Sequence, residues 1–131
     1  MRSDSINLLE QATAEAVHFA DADVATAVRR RVGLQIFEIR DPGVSEGELF
    51  EALAVAFDFP EEFGGNWDAV VDSLRDLQRE PAMTAFVLLL RDATRFWAET
   101  PRLAAELVEA WLAVAEYWRD DGVPFHLVFI W

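Results

Sequence analysis

Asp68, Asp72 and Asp76 are spaced i, i+4 and i+8, so on an α-helix they line one face. Carboxylates in such numbers suit two chemistries. A pair can act as acid and base in glycoside hydrolysis, but such pairs flank a sugar-binding cleft, usually from separate elements. Adjacent turns of one exposed helix make a poor cleft, so no residue is assigned a catalytic role. Alternatively, the row can hold fixed negative charge out to a cationic surface. Like charges four apart are mildly destabilising, so helix stability does not explain the row. A solvated face of an acidic protein explains it, and so does a rigid ridge that docks a basic partner.

Other residues able to do chemistry form no constellation. His18 and His126 sit in candidate strands with no matching partner at ligand spacing, and each reads as a core or edge histidine. No serine lies in a Gly-x-Ser-x-Gly context. Gly64-Gly65 is no phosphate cradle, because no lysine follows and acids surround it. The absence of cysteine excludes disulfides and thiolate metal sites. Neither a metal nor a cofactor is expected.

The elements that would position the ridge are legible around it. Pro60 closes off the helix before, since proline disfavours the α conformation in its predecessor. Gly64 and Gly65 permit backbone angles that other residues avoid. Asn66 is placed to cap a free N–H of the next turn. Trp67, Val70, Val71, Leu74 and Leu77 then share the apolar face of a helix whose other face carries the aspartates. Asp68 gains from the positive end of the helix dipole.

Composition narrows the partners. The chain has 131 residues, enough for one domain with one good core, and 53% are apolar, which marks it as globular. A net charge of −13 disfavours nucleic acid as a direct ligand, because phosphate contacts need Lys and Arg. It favours a cationic protein, with attraction that speeds association at low salt, and it also serves solubility. Met1 to Ser5 lack an apolar signal core, and no apolar run approaches the roughly 20 residues needed to span a bilayer. A cytoplasmic protein that contacts no membrane and is monomeric when free is the expectation.

Along the chain, residues 1–33 are expected to form an N-terminal extension with a possible strand–helix unit. Ile6, Leu8 and Leu9 suit a short helix, and Ala16 to Phe19 suit a strand. Asp21 or Asp23 would cap a helix that carries Val24 and Val28 and ends at Gly33. Arg29-Arg30-Arg31 then lies favourably at that helix's C-terminus. Leu34 to Ile39 reads as a strand, Asp41-Pro42-Gly43 as a turn, and Ser45 with Glu48 as a capping box. The continuous apolar runs 85–90 and 125–131 suit strands covered on both faces. Between them Asp92 is placed to cap a short helix. Thr100-Pro101 starts a long one with Leu103, Leu107, Trp111, Val114 and Trp118 on its stripe, and Gly122 ends it. Strands alternating with helices predict an α/β fold, a small parallel sheet of three or four strands with helices packed on it.

Residues 60–74, Pro-Glu-Glu-Phe-Gly-Gly-Asn-Trp-Asp-Ala-Val-Val-Asp-Ser-Leu, resemble the signature of the barstar family, intracellular inhibitors of secreted bacterial ribonucleases. That family shows an aromatic, Gly, a variable residue, Asn, an apolar residue, Asp-Ala, two apolar residues and Asp. Phe63 to Asp72 follow it in type and spacing, and residues 34–131 follow the family's order of elements. The resemblance implies a barstar-like fold and no enzymatic activity. It also implies a basic secreted ribonuclease, or a related toxin, as the partner. The partner-binding set it implies is Glu62, Phe63, Gly64, Gly65, Asn66, Trp67, Asp68, Val71, Asp72, Arg75, Asp76, Tyr117 and Asp121. Asp72 matches the aspartate that reaches deepest into the nuclease, and Asp68 the one a turn earlier. Val71 replaces a frequent tryptophan, Glu62 a frequent aromatic, and Tyr117 or Glu116 falls at an acidic contact. These changes imply either a partner specificity of the chain's own or a relative that keeps the fold without nuclease affinity. An immunity or regulatory module for a different basic toxin is the alternative.

Overall fold

The structure, a computed structural model, describes residues 1–12 and 15–131. A 3₁₀ helix, Ser3–Glu10, leads into strand β1, Val17–Ala20, and helix α1, Ala22–Arg29. Then follow β2, Leu34–Ile39; α2, Glu46–Phe57; α3, Trp67–Arg75; β3, Ala85–Leu90; α4, Ala93–Glu99; α5, Pro101–Asp120; and β4, Phe125–Ile130.

The four strands form one parallel sheet in the order β1-β4-β3-β2. Register sets Phe37 beside Leu88, Leu88 beside Leu127 and Leu127 beside Val17, a continuous apolar row across the sheet. Both faces are covered, which is why β3 and β4 are apolar at every position but His126. On one face Phe86, Leu88, Leu127 and Phe129 pack against Leu49 and Leu53 of α2, Val70 and Leu74 of α3, and Leu107 and Trp111 of α5. On the other, Val87, Leu89, Val128 and Ile130 meet Ile6, Leu9, Val24, Ala25 and Val28. No helix among the described residues is long and apolar enough to cross a membrane.

Local signals act mostly as the residue types dictate. The Asp21 carboxylate accepts from the N–H groups of Asp23 and Val24, and Ser45 Oγ accepts from Glu48 N. Gly122 sits at φ +71 just past α5, where a side chain would be strained. Several terminations differ from expectation. Left-handed Asp58, at φ +52, ends α2 before Pro60 can act, with the Phe59 N–H turned back to Ala54 O. Helix α1 stops at Arg29, short of Gly33, because Arg30 and Arg31 close a tighter turn onto Ala27 and Val28. Asp92 is left-handed and caps nothing; its carboxylate accepts from Arg95. Thr100 makes no side-chain cap, so Pro101 alone marks the start of α5.

The histidines were expected to be unpartnered, and they meet. Parallel pairing sets His18 beside Val128, which faces the same side as His126, and brings His18 Nε2 to 2.9 Å from His126 Nδ1. His126 Nε2 lies 3.2 Å from Gln11 O, so it carries the hydrogen, and Nδ1 accepts from His18. Burial, and then the neighbouring His18, push His126 down to about 4. Burial, and then the N-terminal ammonium, lower His18. Both rings therefore serve as neutral structural groups that tie β1 and its approach to β4.

Candidate functional site

The ridge begins in the loop between α2 and α3, which is anchored from beneath by aromatic rings. Phe59 stacks on Phe57 at 5.9 Å and meets Phe63 at 5.0 Å. Phe50 of α2 then takes Trp67 edge-on at 4.9 Å. Gly65 adopts φ +66, the left-handed backbone that favours glycine, whereas Gly64 does not need it. Asn66 turns the chain into α3 by accepting from Ala69 N at 2.8 Å. Glu62, Gly64 and Gly65 are exposed on this loop.

Helix α3 packs along α5. Val70 and Leu74 are fully buried, while Trp67 and Val71 are half-buried at the seam. Two indoles fasten the pair. Trp67 donates to Glu106 Oε2 at 2.9 Å, and Trp118 donates to Leu74 O at 3.1 Å, answering a carbonyl that the helix end leaves free. Asp68 and Asp72 stand exposed on consecutive turns of this clamped helix. Neither carboxylate forms an ion pair or a side-chain hydrogen bond among the described residues.

Asp76 departs from the expected ridge. The α-helix stops at Arg75, and Asp76 is its C-cap, with its N–H shared between Asp72 O and Ser73 O. The helical face therefore carries two aspartates, and the third lies at the end of the element. Arg75 leans over the Tyr117 ring, with its guanidinium carbon 5.4 Å from the centroid. Tyr117 and Asp121 are exposed at the end of α5, where Asp121 is the C-cap. The structure thus joins Trp67, Asp68, Val71 and Asp72 on one edge and Arg75 with Tyr117 at its end.

Two further acids were not anticipated. Glu106 and Glu109 of α5 line a groove of about 290 Å³ with Trp67, Asp68, Val71, Ala110 and Ala113. Its floor is apolar and its rim negative. The pair sits one turn apart on α5, which is visible in sequence, but nothing in sequence says that this turn abuts Trp67. A larger depression of about 370 Å³ lies across β2 and α2, where Arg40 is interleaved with Glu38, Asp41, Glu48 and Glu51. That rim sets one cation, Arg40, among its acids, and the motif lies elsewhere, so the α3–α5 edge is the better site. No cluster of three or more metal-ligating side chains occurs among the described residues.

Order of elements, a parallel sheet and a capped acidic helix define a small α/β domain of the kind the motif implied. The family model described as Barstar (barnase inhibitor) matches residues 34–130, and the chain belongs to that family. No curated protein matches the chain. The match begins at β2, so the 3₁₀ helix, β1 and α1 lie outside it.

Proposed function

We propose that this chain binds and inhibits a basic secreted bacterial ribonuclease, with the 62–76 loop and helix filling the enzyme's active site. The observation that carries the reading is the exposed Asp68–Asp72 edge, rigidly held and unanswered by any cation of the described residues. A nuclease site must gather Arg, Lys and His to hold phosphate. Asp68 and Asp72 stand in for two phosphates and form charge-assisted, in part bidentate, bonds to those groups. Glu106 and Glu109 extend the negative field, and the Val71 floor takes an apolar contact. The inhibitor acts as a free monomer in the producing cell's cytoplasm, needs no cofactor and touches neither nucleic acid nor membrane.

The nuclease–inhibitor pair of this family is itself the reference case for electrostatic steering and for a dominant aspartate hot spot, and both expectations are carried over from it. Losing one partner of a buried, paired charge costs about 2–5 kcal/mol or more. The test is inhibition of a basic, guanyl-preferring bacterial ribonuclease by wild type and Asp72→Ala, at low and physiological salt. Stoichiometric inhibition that weakens with salt and collapses in the variant supports the reading. Absence of inhibition at micromolar protein shifts it to an immunity module against a different basic toxin, which Val71 and the Arg75 cation favour as a second reading.

A further inference from the structure

Arg75 is the discordant charge in the proposed docking surface. Asp72 lies one turn back on α3 and Asp76 follows it directly as the C-cap. Arginine between two carboxylates, one of them at i−3 on the same helix, ordinarily pairs with one. Yet no carboxylate of the described residues forms an ion pair with Arg75. Its side chain crosses instead to α5 and lies over Tyr117, and its Nε is buried with no hydrogen-bond partner. The cation–π contact and the enclosed Nε favour this one position of the head group. A fixed, unneutralised positive charge thus sits beside the aspartates meant to receive a cationic partner.

Resting on the docking reading above, we propose that Arg75, held by Tyr117, is a specificity filter: it lowers affinity for any partner that presents lysine or arginine opposite the C-terminal end of α3. Specific interfaces commonly reject wrong partners by such built-in repulsion. A flexible surface arginine would swing away from an approaching cation at little cost. One whose face is packed on a ring and whose Nε is enclosed must be displaced first. A nuclease whose basic site extends to that point is therefore bound less tightly than the aspartates alone would allow.

The experiment uses barnase, the nuclease in the family's description, as the probe. Dissociation constants are measured for wild type, Arg75→Ala, Arg75→Glu, Arg40→Glu and Asp72→Ala. Arg40 is 85% exposed at the other end of the strands, so its reversal makes the same change in net charge away from the ridge. The filter predicts that Arg75→Ala tightens binding about tenfold and Arg75→Glu more, since the first removes a like-charge juxtaposition and the second replaces it with an attraction. Arg40→Glu should give a small part of that gain, and added salt should shrink the difference. Equal gains from Arg75→Glu and Arg40→Glu, or weaker binding in Arg75→Ala, overturn the filter. If Asp72→Ala weakens binding while the Arg75 variants match wild type, the docking edge stands and the filter falls. If Asp72→Ala changes nothing, or if even Arg75→Glu fails to bind, both fall.

Discussion

Asp72 projects from a helix that cannot easily yield, because Trp67 and Trp118 pin α3 to α5 on either side of it. Its removal should therefore be felt by a partner and hardly at all by the fold. Asp72→Ala is expected to lose at least about thirtyfold in inhibition, whereas Glu51→Ala, another exposed acid on α2, should lose less than about threefold. Equal losses would mean that net charge alone does the work. His126 behaves oppositely, as a group for the fold. Its ordinary value is 6.5 and burial holds it near 4 in the native state, so the unfolded chain takes up a proton that the folded chain refuses. Its contribution is complete above about pH 6.5 and is lost as pH falls towards 4. By pH 5 the loss is about 2 kcal/mol, read as a falling unfolding midpoint. His126→Gln should start less stable at pH 7 and show a flatter decline between pH 6.5 and 5. The aspartate row was legible in sequence because both residues lie on one helix. The histidine pair was not, because parallel pairing of β1 with β4 joins residues at opposite ends of the chain.

At the scale of the element, the loop and cap before α3 decide where the ridge points. Gly65 at φ +66 and Asn66 on Ala69 N act in succession, so changes there should harm stability and docking together. Asn66→Ala is expected to cost about 1 kcal/mol, and Gly65→Ala about 1 kcal/mol from left-handed strain, both measurable by urea unfolding. Gly64→Ala should cost less, since Gly64 avoids that region and an added Cβ would meet only ordinary contacts. Most element starts were readable, because Asp21, Ser45, Asn66 and Pro101 signal through chemistry local to the chain. Element ends were harder. Asp58 takes a left-handed angle that its residue type tolerates but does not demand, and Arg75 ends α3 without glycine or proline. Tertiary packing sets those stops. The same cause hid Glu106 and Glu109, whose role at the edge comes from α5 lying against α3.

For the whole molecule, the sheet has two dry faces, and the family match accounts for the elements on one of them. The other is covered by the 3₁₀ helix and α1, both before residue 34. We propose that this cover is part of one cooperative unit and not a detachable arm. Leu9→Ala and Leu74→Ala, buried on opposite faces, are each expected to cost about 2–5 kcal/mol and to shift a single denaturant transition without splitting it. A separate early transition in Leu9→Ala would make the cover an independent layer. The parallel fold itself was legible, since short runs apolar at consecutive positions, alternating with helical patterns, suit strands buried on both sides. Which strand sat where was not, because strand order depends on crossovers that no residue spells out.

That order bears on how the protein is made. Strand β4, synthesised after the other three strands, lies inside the sheet between β1 and β3, and α5, against which the ridge helix is braced, is finished only shortly before it. A nascent chain that has already exposed Asp68 and Asp72 therefore lacks the support that aims them. Until residues 125–130 emerge, β1 has no neighbour to pair with and the two faces cannot close. The braced edge would then form abruptly once β4 emerges, and chains that stall before β4 would carry Asp68 and Asp72 on an unbraced helix.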